Sequence, residues 1–278
     1  MSTPLSWRGR WRRLTLGLPT VLGLRQRGWF VPHRYAGLLP PPGYQPPYPA
    51  IEALFRRAEA TFATTLDSMD SHATALEAMR PLLDQAWFPS LDAAVAYAVI
   101  REHKPRRIVE VGSGHSTRLL AKALAGDGEI VAIDPAPRAD IAGLAGVTIV
   151  ATTVQRAPAE TFATLVAGDV LFIDSSHILM PGSDVDMLFG RVLPELPAGT
   201  LLHVHDIFLP FDYPAIWGWR NYNEQQGVLP LLASGAYRPF FSSVWAERRM
   251  ADRLAHSVLS RLPRPSNAMA TSLWLEKQ

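Results

Sequence analysis

The chain has 278 residues, of which 48% are hydrophobic and 19% charged, with 27 basic residues against 25 acidic ones and no cysteine. That length is ample for one large domain or a domain with an appendage, and the composition is ordinary for a soluble globular protein. Without cysteine there is no disulfide, zinc thiolate site or cysteine nucleophile, which permits a reducing, cytoplasmic setting.

The net charge of +2 hides an asymmetry, because Arg8, Arg10, Arg12, Arg13, Arg25, Arg27 and Arg34 all precede the first acid, Glu52. The apolar stretch Leu14 to Leu24 follows arginines in the order of an export signal. However, Gly17, Pro19 and Gly23 interrupt it, and Arg25-Gln-Arg27 follows with no small-residue cleavage site. It is also too short to span a bilayer. Trp7, Trp11, Trp29 and Phe30 among the arginines suit packing on the body, on a second subunit of a homo-oligomer, or on an anionic membrane as a peripheral contact; nucleic acid is the least favoured partner. Residues 1–50 are therefore read as a basic, Trp- and Pro-rich arm, ending in an extended connector from Pro40 to Pro49. Residues 51–278 are read as the folded domain, with its core at 105–278.

From Ile51 the apolar positions Leu54, Phe55, Ala58, Phe62 and Leu66 recur at helical spacing, and Ser90 is placed to cap a second helix that stops before Pro105. Ile108, Val109 and Val111 then read as a buried parallel strand that breaks at Gly112 and Gly114. Ser116 and Thr117 offer capping hydroxyls to a helix running through Ala125 and stopping at Gly126. Further strands are expected at Glu129 to Ile133, Val147 to Ala151, Val170 to Ile173, Thr200 to Val204, Arg238 to Trp245 and Ser272 to Leu275. Ser183 with Asp186 forms a capping box, and another helix is expected at about Met250 to Leu259. This alternation predicts an α/β fold: a doubly wound, mostly parallel, Rossmann-like seven-stranded sheet with an N-terminal helical extension.

Polar residues gather at the expected carboxyl ends of the strands, where such sheets bind ligands: Glu110, Asp134, Asp174 and the pair His205-Asp206. A dinucleotide turn wants a third glycine where Thr117 stands, and it rarely carries an acid two residues before its first glycine, where Glu110 stands. A carboxylate there would repel a pyrophosphate and welcome the sulfonium and amino group of S-adenosylmethionine, while Asp134 is spaced to accept ribose hydroxyls.

The pattern Glu110-x-Gly112-x-Gly114-x-Ser116 resembles the first motif of class I S-adenosylmethionine-dependent methyltransferases, with Ser116 in place of a third glycine. Glu-Val-Gly-Ser-Gly-His-Ser-Thr at 110–117, Phe-Ile-Asp-Ser-Ser-His at 172–177 and His-Val-His-Asp-Ile-Phe-Leu-Pro at 203–210 together resemble a bacterial methyltransferase-domain branch of that superfamily. Arg27 to Tyr35 and Ser272 to Leu275 also fit it. The resemblance implies that Glu110, Gly112, Ser113, Gly114, Ser116 and Thr117 line the methionine end of the cofactor. It further implies that Asp134 holds the ribose, Gln155 flanks the adenine, and Asp174 meets the sulfonium.

Distantly similar catechol-type O-methyltransferases hold magnesium at positions that correspond to Asp174, His205 and Asp206. A histidine among these favours manganese, iron or zinc over magnesium as the divalent ion. The metal-free reading gives His205 or Asp206 the role of general base, with Asp174 beside them as a third candidate catalytic residue. His177 and His203 are weaker candidates, His115 shapes the turn, and the aromatic segment Phe211 to Asn223 is a candidate wall for a small hydroxylated substrate. The expected activity is O-methylation of such a molecule; the alternatives are a nicotinamide-dependent oxidoreductase or a non-catalytic, membrane-associated protein of the same fold.

Overall fold

The computed structural model describes residues 7–41, 43–137 and 140–278; the first six residues of the basic arm and Pro42 of the connector lie outside the described residues. The chain divides into two compact units, one comprising the arm up to Pro47 with Phe211–Tyr222, the other Tyr48–Pro210 with Asn223–Gln278.

In the larger unit seven strands form one sheet: β1 (Arg107–Val111), β2 (Glu129–Ile133), β3 (Val147–Val150), β4 (Val170–Ile173), β5 (Leu201–Val204), β6 (Tyr237–Ser242) and β7 (Leu273–Lys277). Their spatial order is β3-β2-β1-β4-β5-β7-β6, with β1 to β5 mutually parallel and β7 antiparallel to both β5 and β6. This is the expected doubly wound, mostly parallel sheet. β4 and β5 are buried at every position, as strands covered on both faces must be; β4 reads in sequence as an apolar run, and β5 as one broken only by His203. Chain order reverses between β1 and β4, the point where such sheets open a crevice. Register aligns the strand ends: Val111 pairs with Ile133 and Ile173, and Ile173 with Val204. Gly112, Asp134, Asp174 and His205, each the next residue, therefore leave the sheet at one level.

The helix expected from Ile51 runs Pro49–Ser71 and buries Phe55, Phe62 and Leu66; Phe55 meets Trp245 edge to face, and Phe62 meets Phe241 in the same way. Pro49 takes the first helical turn, where its missing N–H costs nothing.

Several local expectations need correction. Ser90 does not cap the Ser90–His103 helix; Pro89 precedes it, and the Ser90 hydroxyl donates to the Pro263 carbonyl at 2.6 Å. Ser116 does not cap the His115–Leu124 helix, whose N-cap is Gly114, and its hydroxyl turns back to Glu110; the Thr117 hydroxyl also donates to Glu110 but does cap, accepting from the Gly114 N–H. β6 ends at Ser242, whose hydroxyl accepts from the Trp245 N–H and caps a helix over Ser243–Arg249, so Val244 and Trp245 are helical rather than extended. The helix expected at Met250 to Leu259 is split into Ala251–Ala255 and a 3-10 turn at Val258–Arg261, with Ser257 capping the second piece. Ser183 does cap its helix by accepting from Asp186 N–H, but the Asp186 carboxylate answers to Gly182 N–H rather than to Ser183.

Candidate active site

The turn after β1 is built around two constraints. Gly112 has φ +81°, and a Cβ placed there would lie 1.9 Å from the Asp174 carbonyl oxygen, so only glycine lets β1 pass the end of β4 this closely. Glu110, with no exposed surface, accepts from the Ser116 hydroxyl through Oε1 and from the Thr117 hydroxyl through Oε2, both at 2.6 Å. Thr117 Oγ1 in turn accepts from Gly114 N–H at 2.9 Å. Burial pushes the Glu110 carboxyl up to about 8 against those two hydroxyl bonds, and the nearby Asp174 and Asp134 charges add to the rise. Glu110 is thus the clasp that holds the helix start to the strand.

Asp134, half-buried at the end of β2, is held from two sides. Ser113 donates to Oδ2 through its N–H at 2.7 Å and its hydroxyl at 3.0 Å, and Ala136 N–H donates to Oδ1 at 2.7 Å. Gln155 is exposed in a 3-10 turn after β3, and its side-chain amide donates to the Gly182 carbonyl at 3.1 Å. His115, the first helical residue, is half-buried, and burial with Arg118 lowers its pKa.

At the ends of β4 and β5 the structure brings Asp174, His205 and Asp206 together and adds His177, which the sequence ranked low. His177 Nε2 lies 3.4 Å from Asp174 Oδ1 and 3.5 Å from Asp206 Oδ2. His205 Nδ1 lies 3.4 Å from Asp206 Oδ1 and 3.6 Å from Asp174 Oδ1. Each ring carries a buried carboxylate on its far side: Glu224 Oε2 at 2.9 Å from His177 Nδ1, and Asp92 Oδ2 at 3.3 Å from His205 Nε2. Asp92 is itself fixed by N–H donation from Thr271 at 2.9 Å and Ser272 at 3.0 Å, and Thr271 Oγ1 donates to Asp206 at 3.1 Å. Two carboxylate–histidine dyads therefore converge on one pair of aspartates. His177 and Asp206 both hold left-handed backbone, at φ +61° and +57°, a strain of about 1 kcal/mol or more each that tends to persist at functional sites.

The electrostatics follow from this packing. Burial opposes a charged His205, yet Asp174 and Asp206 outweigh it and hold its pKa well above the ordinary value. Burial likewise opposes a charge on His177, and Asp174, Glu224 and Asp206 reverse it. Asp174, against its own burial, is held well below the carboxylate range by His205 and His177. Its side chain is 32% exposed whereas both rings stand at 5%, so Asp174 is the face the cluster turns to solvent. His203 is different. Fully buried, it stacks on Phe172 with centroids 3.7 Å apart and meets Ser272 Oγ through Nε2 at 2.8 Å. Burial and His205 keep its pKa well below normal, so it is a neutral core residue.

Among the described residues no group of three or more His, Asp or Glu side chains is arranged to hold a metal ion. Asp174 and Asp206 lie against the same His205 nitrogen, Nδ1, at 3.6 and 3.4 Å. In the smaller unit, Arg220 lies over the Trp217 ring at 4.0 Å, and Tyr222 meets Tyr213 and Trp217 edge to face. Asn223, in the larger unit, ties down Leu179 through both side-chain atoms.

Asp92, Glu224 and Thr271 were not singled out from the sequence. Asp92 left a trace: it is an acid inside the apolar run Leu91 to Ile100 and is fully buried there, a position that demands partners. Glu224 and Thr271 left none.

Residues 109–207, from within β1 to just past β5, match the family described as "Methyltransferase domain". No curated protein sequence is significantly similar to the chain. Among solved structures, an SAH-bound Podospora anserina methyltransferase, PaMTH1, is 14% identical with a TM-score of 0.45, over 90% of this chain and 99% of its own. The plantazolicin methyltransferase BpumL, in complex with SAH, is 12% identical with a TM-score of 0.42, over 82% and 99% respectively. The matched segment holds the glycine turn, Asp134 and the β4 and β5 ends, and its similarity to a methyltransferase domain agrees with the resemblance in the sequence.

Proposed function

We propose that the protein transfers a methyl group from S-adenosylmethionine to an oxygen of a small hydroxylated molecule, without a metal ion. The observation that carries this reading is the convergence of the two dyads, Glu224–His177 and Asp92–His205, on Asp174 and Asp206 at the strand ends next to the glycine turn.

When bound, the cofactor supplies an electrophilic methyl group on a positively charged sulfur. The residues fit it: Asp134, preorganised by Ser113 and Ala136, offers a carboxylate to a ribose diol, and Gly112, Gly114 and the start of the His115–Leu124 helix frame the methionine end. Glu110 beneath the turn gains ionised character when a cation sits above it. Gln155 stands at the end of β3, where the adenine edge would lie.

Methylating a hydroxyl requires its proton to leave as the new bond forms. Asp174, ionised and partly open, accepts the hydroxyl's hydrogen bond and positions it, and His205 takes the proton through Nδ1 once its own has been lost to solvent. Asp92 holds the opposite ring nitrogen as a donor, which orients that base and stabilises its charged form. Asp206 and Thr271 complete the cage around the ring. His177, kept charged between Glu224 and the aspartates, balances the carboxylates so that Asp174 does not neutralise itself by taking up a proton at rest.

Calorimetry with S-adenosylmethionine and S-adenosylhomocysteine, followed by methyl transfer to a panel of phenols, catechols and amines with and without chelator, tests this reading. Binding of both, with chelator-insensitive transfer to oxygen acceptors, is expected. A folded protein that binds neither compound overturns the cofactor assignment; transfer to nitrogen alone overturns the acceptor, and activity lost to chelator and restored by a divalent ion overturns the metal-free route.

A further inference from the structure

The N-terminal arm is helical from Trp7 to Val21, as two α-helical pieces joined by a π turn over Arg13–Gly17. Trp7, Trp11, Leu14, Leu18 and Val21 recur at steps of four, three, four and three residues. At helical periodicity they form one stripe, and Leu22 extends it. Every one of these side chains is at least 52% exposed, and Trp7 and Trp11 stack with ring centroids 6.4 Å apart. Beyond the helix, Leu24, Trp29, Phe30 and Val31 are exposed as well. An apolar stripe of this extent in water is a docking surface lacking its occupant.

Charge identifies the occupant. Arg10, Arg13, Arg25, Arg27 and Arg34 are exposed along the same arm. Seven of the chain's 27 basic residues precede Glu52 and none of its 25 acids does, so everything from Glu52 onward carries a net charge of −5. A second copy of the stripe is a poor partner: the two-heptad length is short for a coiled coil, Pro19 and the π turn interrupt it, and no acid stands ready to pair with the flanking arginines across a seam. A nucleic acid would use the arginines and tryptophans but leave Leu14, Leu18, Val21 and Leu22 in water. A surface that takes aliphatic side chains, places tryptophan at a polar boundary and attracts arginine is the face of a bilayer rich in acidic phospholipid. Among the described residues no helix is long and apolar enough to cross a membrane, so the arm would lie in the interface plane.

We propose that residues 7–34 form an amphipathic anchor that binds this protein peripherally to membranes containing anionic lipid. The inference rests on the arm's own residues and is independent of the methyl-transfer reading.

The test is co-sedimentation of the full chain with vesicles of phosphatidylcholine alone or with phosphatidylglycerol, at low and high salt. Leu14→Glu/Leu18→Glu and Arg25→Gln/Arg27→Gln are compared with the parent, and circular dichroism confirms that each variant is folded. These four side chains are exposed, so the fold should tolerate both changes. Binding that requires phosphatidylglycerol is expected, weakened on the order of tenfold or more by either double variant and by high salt. Equal binding to both vesicle types removes the role of charge and overturns the proposal, as does failure of the parent to bind. If the parent instead sediments as a dimer in solution, and the leucine variant abolishes that dimer without altering vesicle binding, the stripe belongs to a second copy. Vesicle-free binding to single-stranded RNA with no lipid binding assigns the arm to nucleic acid.

Discussion

Replacing Glu110 with glutamine isolates one buried charge, and its effect should change sign with pH. In the parent the carboxyl has a folded pKa of about 8, against an ordinary value of 4.5 in the unfolded chain. Because the folded state holds the proton more tightly, this group's contribution to stability is fully present below about 4.5 and is lost as pH rises through about 8. Each pH unit in that window is worth about 1.4 kcal/mol, so between pH 5 and 8 the parent loses roughly 4 kcal/mol from this site alone. Glutamine does not titrate. It keeps the shape and one acceptor for the Ser116 hydroxyl. Its NH2 faces the Thr117 hydroxyl, which already accepts from Gly114, and that mismatch costs about 1 kcal/mol at any pH. The variant should therefore be slightly less stable than the parent at pH 5 and more stable by a few kcal/mol at pH 8. Urea unfolding followed by tryptophan fluorescence measures this, since Trp245 and Trp274 are fully buried. Other titrations are common to both proteins and cancel in the difference. A difference that stays flat from pH 5 to 9 would show that burial does not hold the Glu110 proton, and the account of the clasp would fail with it.

Two other substitutions probe the surrounding frame. Gly112→Ala combines a left-handed backbone with a Cβ driven into the Asp174 carbonyl, so about 2–4 kcal/mol of stability should be lost and S-adenosylhomocysteine binding weakened together; a variant with parental thermal stability contradicts the close β1/β4 passage. Asp92→Asn puts an amide where one carboxylate serves Thr271 N–H, Ser272 N–H and the His205 ring. It should cost about 2–3 kcal/mol and move the NMR-measured pKa of His205 down toward the ordinary histidine range. An unchanged His205 titration in folded Asp92→Asn protein would mean that the dyad does not exist in solution.

The differences between expectation and structure have local physical causes. Val244 and Trp245 look extended because β-branched and aromatic residues favour strands, but the Ser242 hydroxyl nucleates a helix there and burial of Trp245 against Phe55 holds it. Ser116 and Thr117 look like caps because short hydroxyls at a helix start usually are. Here a buried carboxylate six and seven residues earlier takes both hydroxyl protons, and only Thr117 also accepts a backbone N–H, that of Gly114. His177 looks peripheral because Asp174, three residues earlier, is its only partner nearby in the sequence. Its partners Asp206 and Glu224 arrive from other parts of the chain.

By itself the sequence determined the parallel sheet, the glycine turn and the placement of Glu110, Asp134, Asp174 and His205-Asp206 at successive strand ends. These follow from local chemistry: apolar runs of strand length, glycines where the backbone must reverse, and acids at the ends of β1, β2, β4 and β5. Tertiary structure alone decided which of those polar groups meet, which are charged, and which stand guard behind them. Asp92 reaches His205 across 113 positions of chain and Glu224 reaches His177 across 47, and separations of that kind are set by strand order, register and helix packing, which no local pattern encodes.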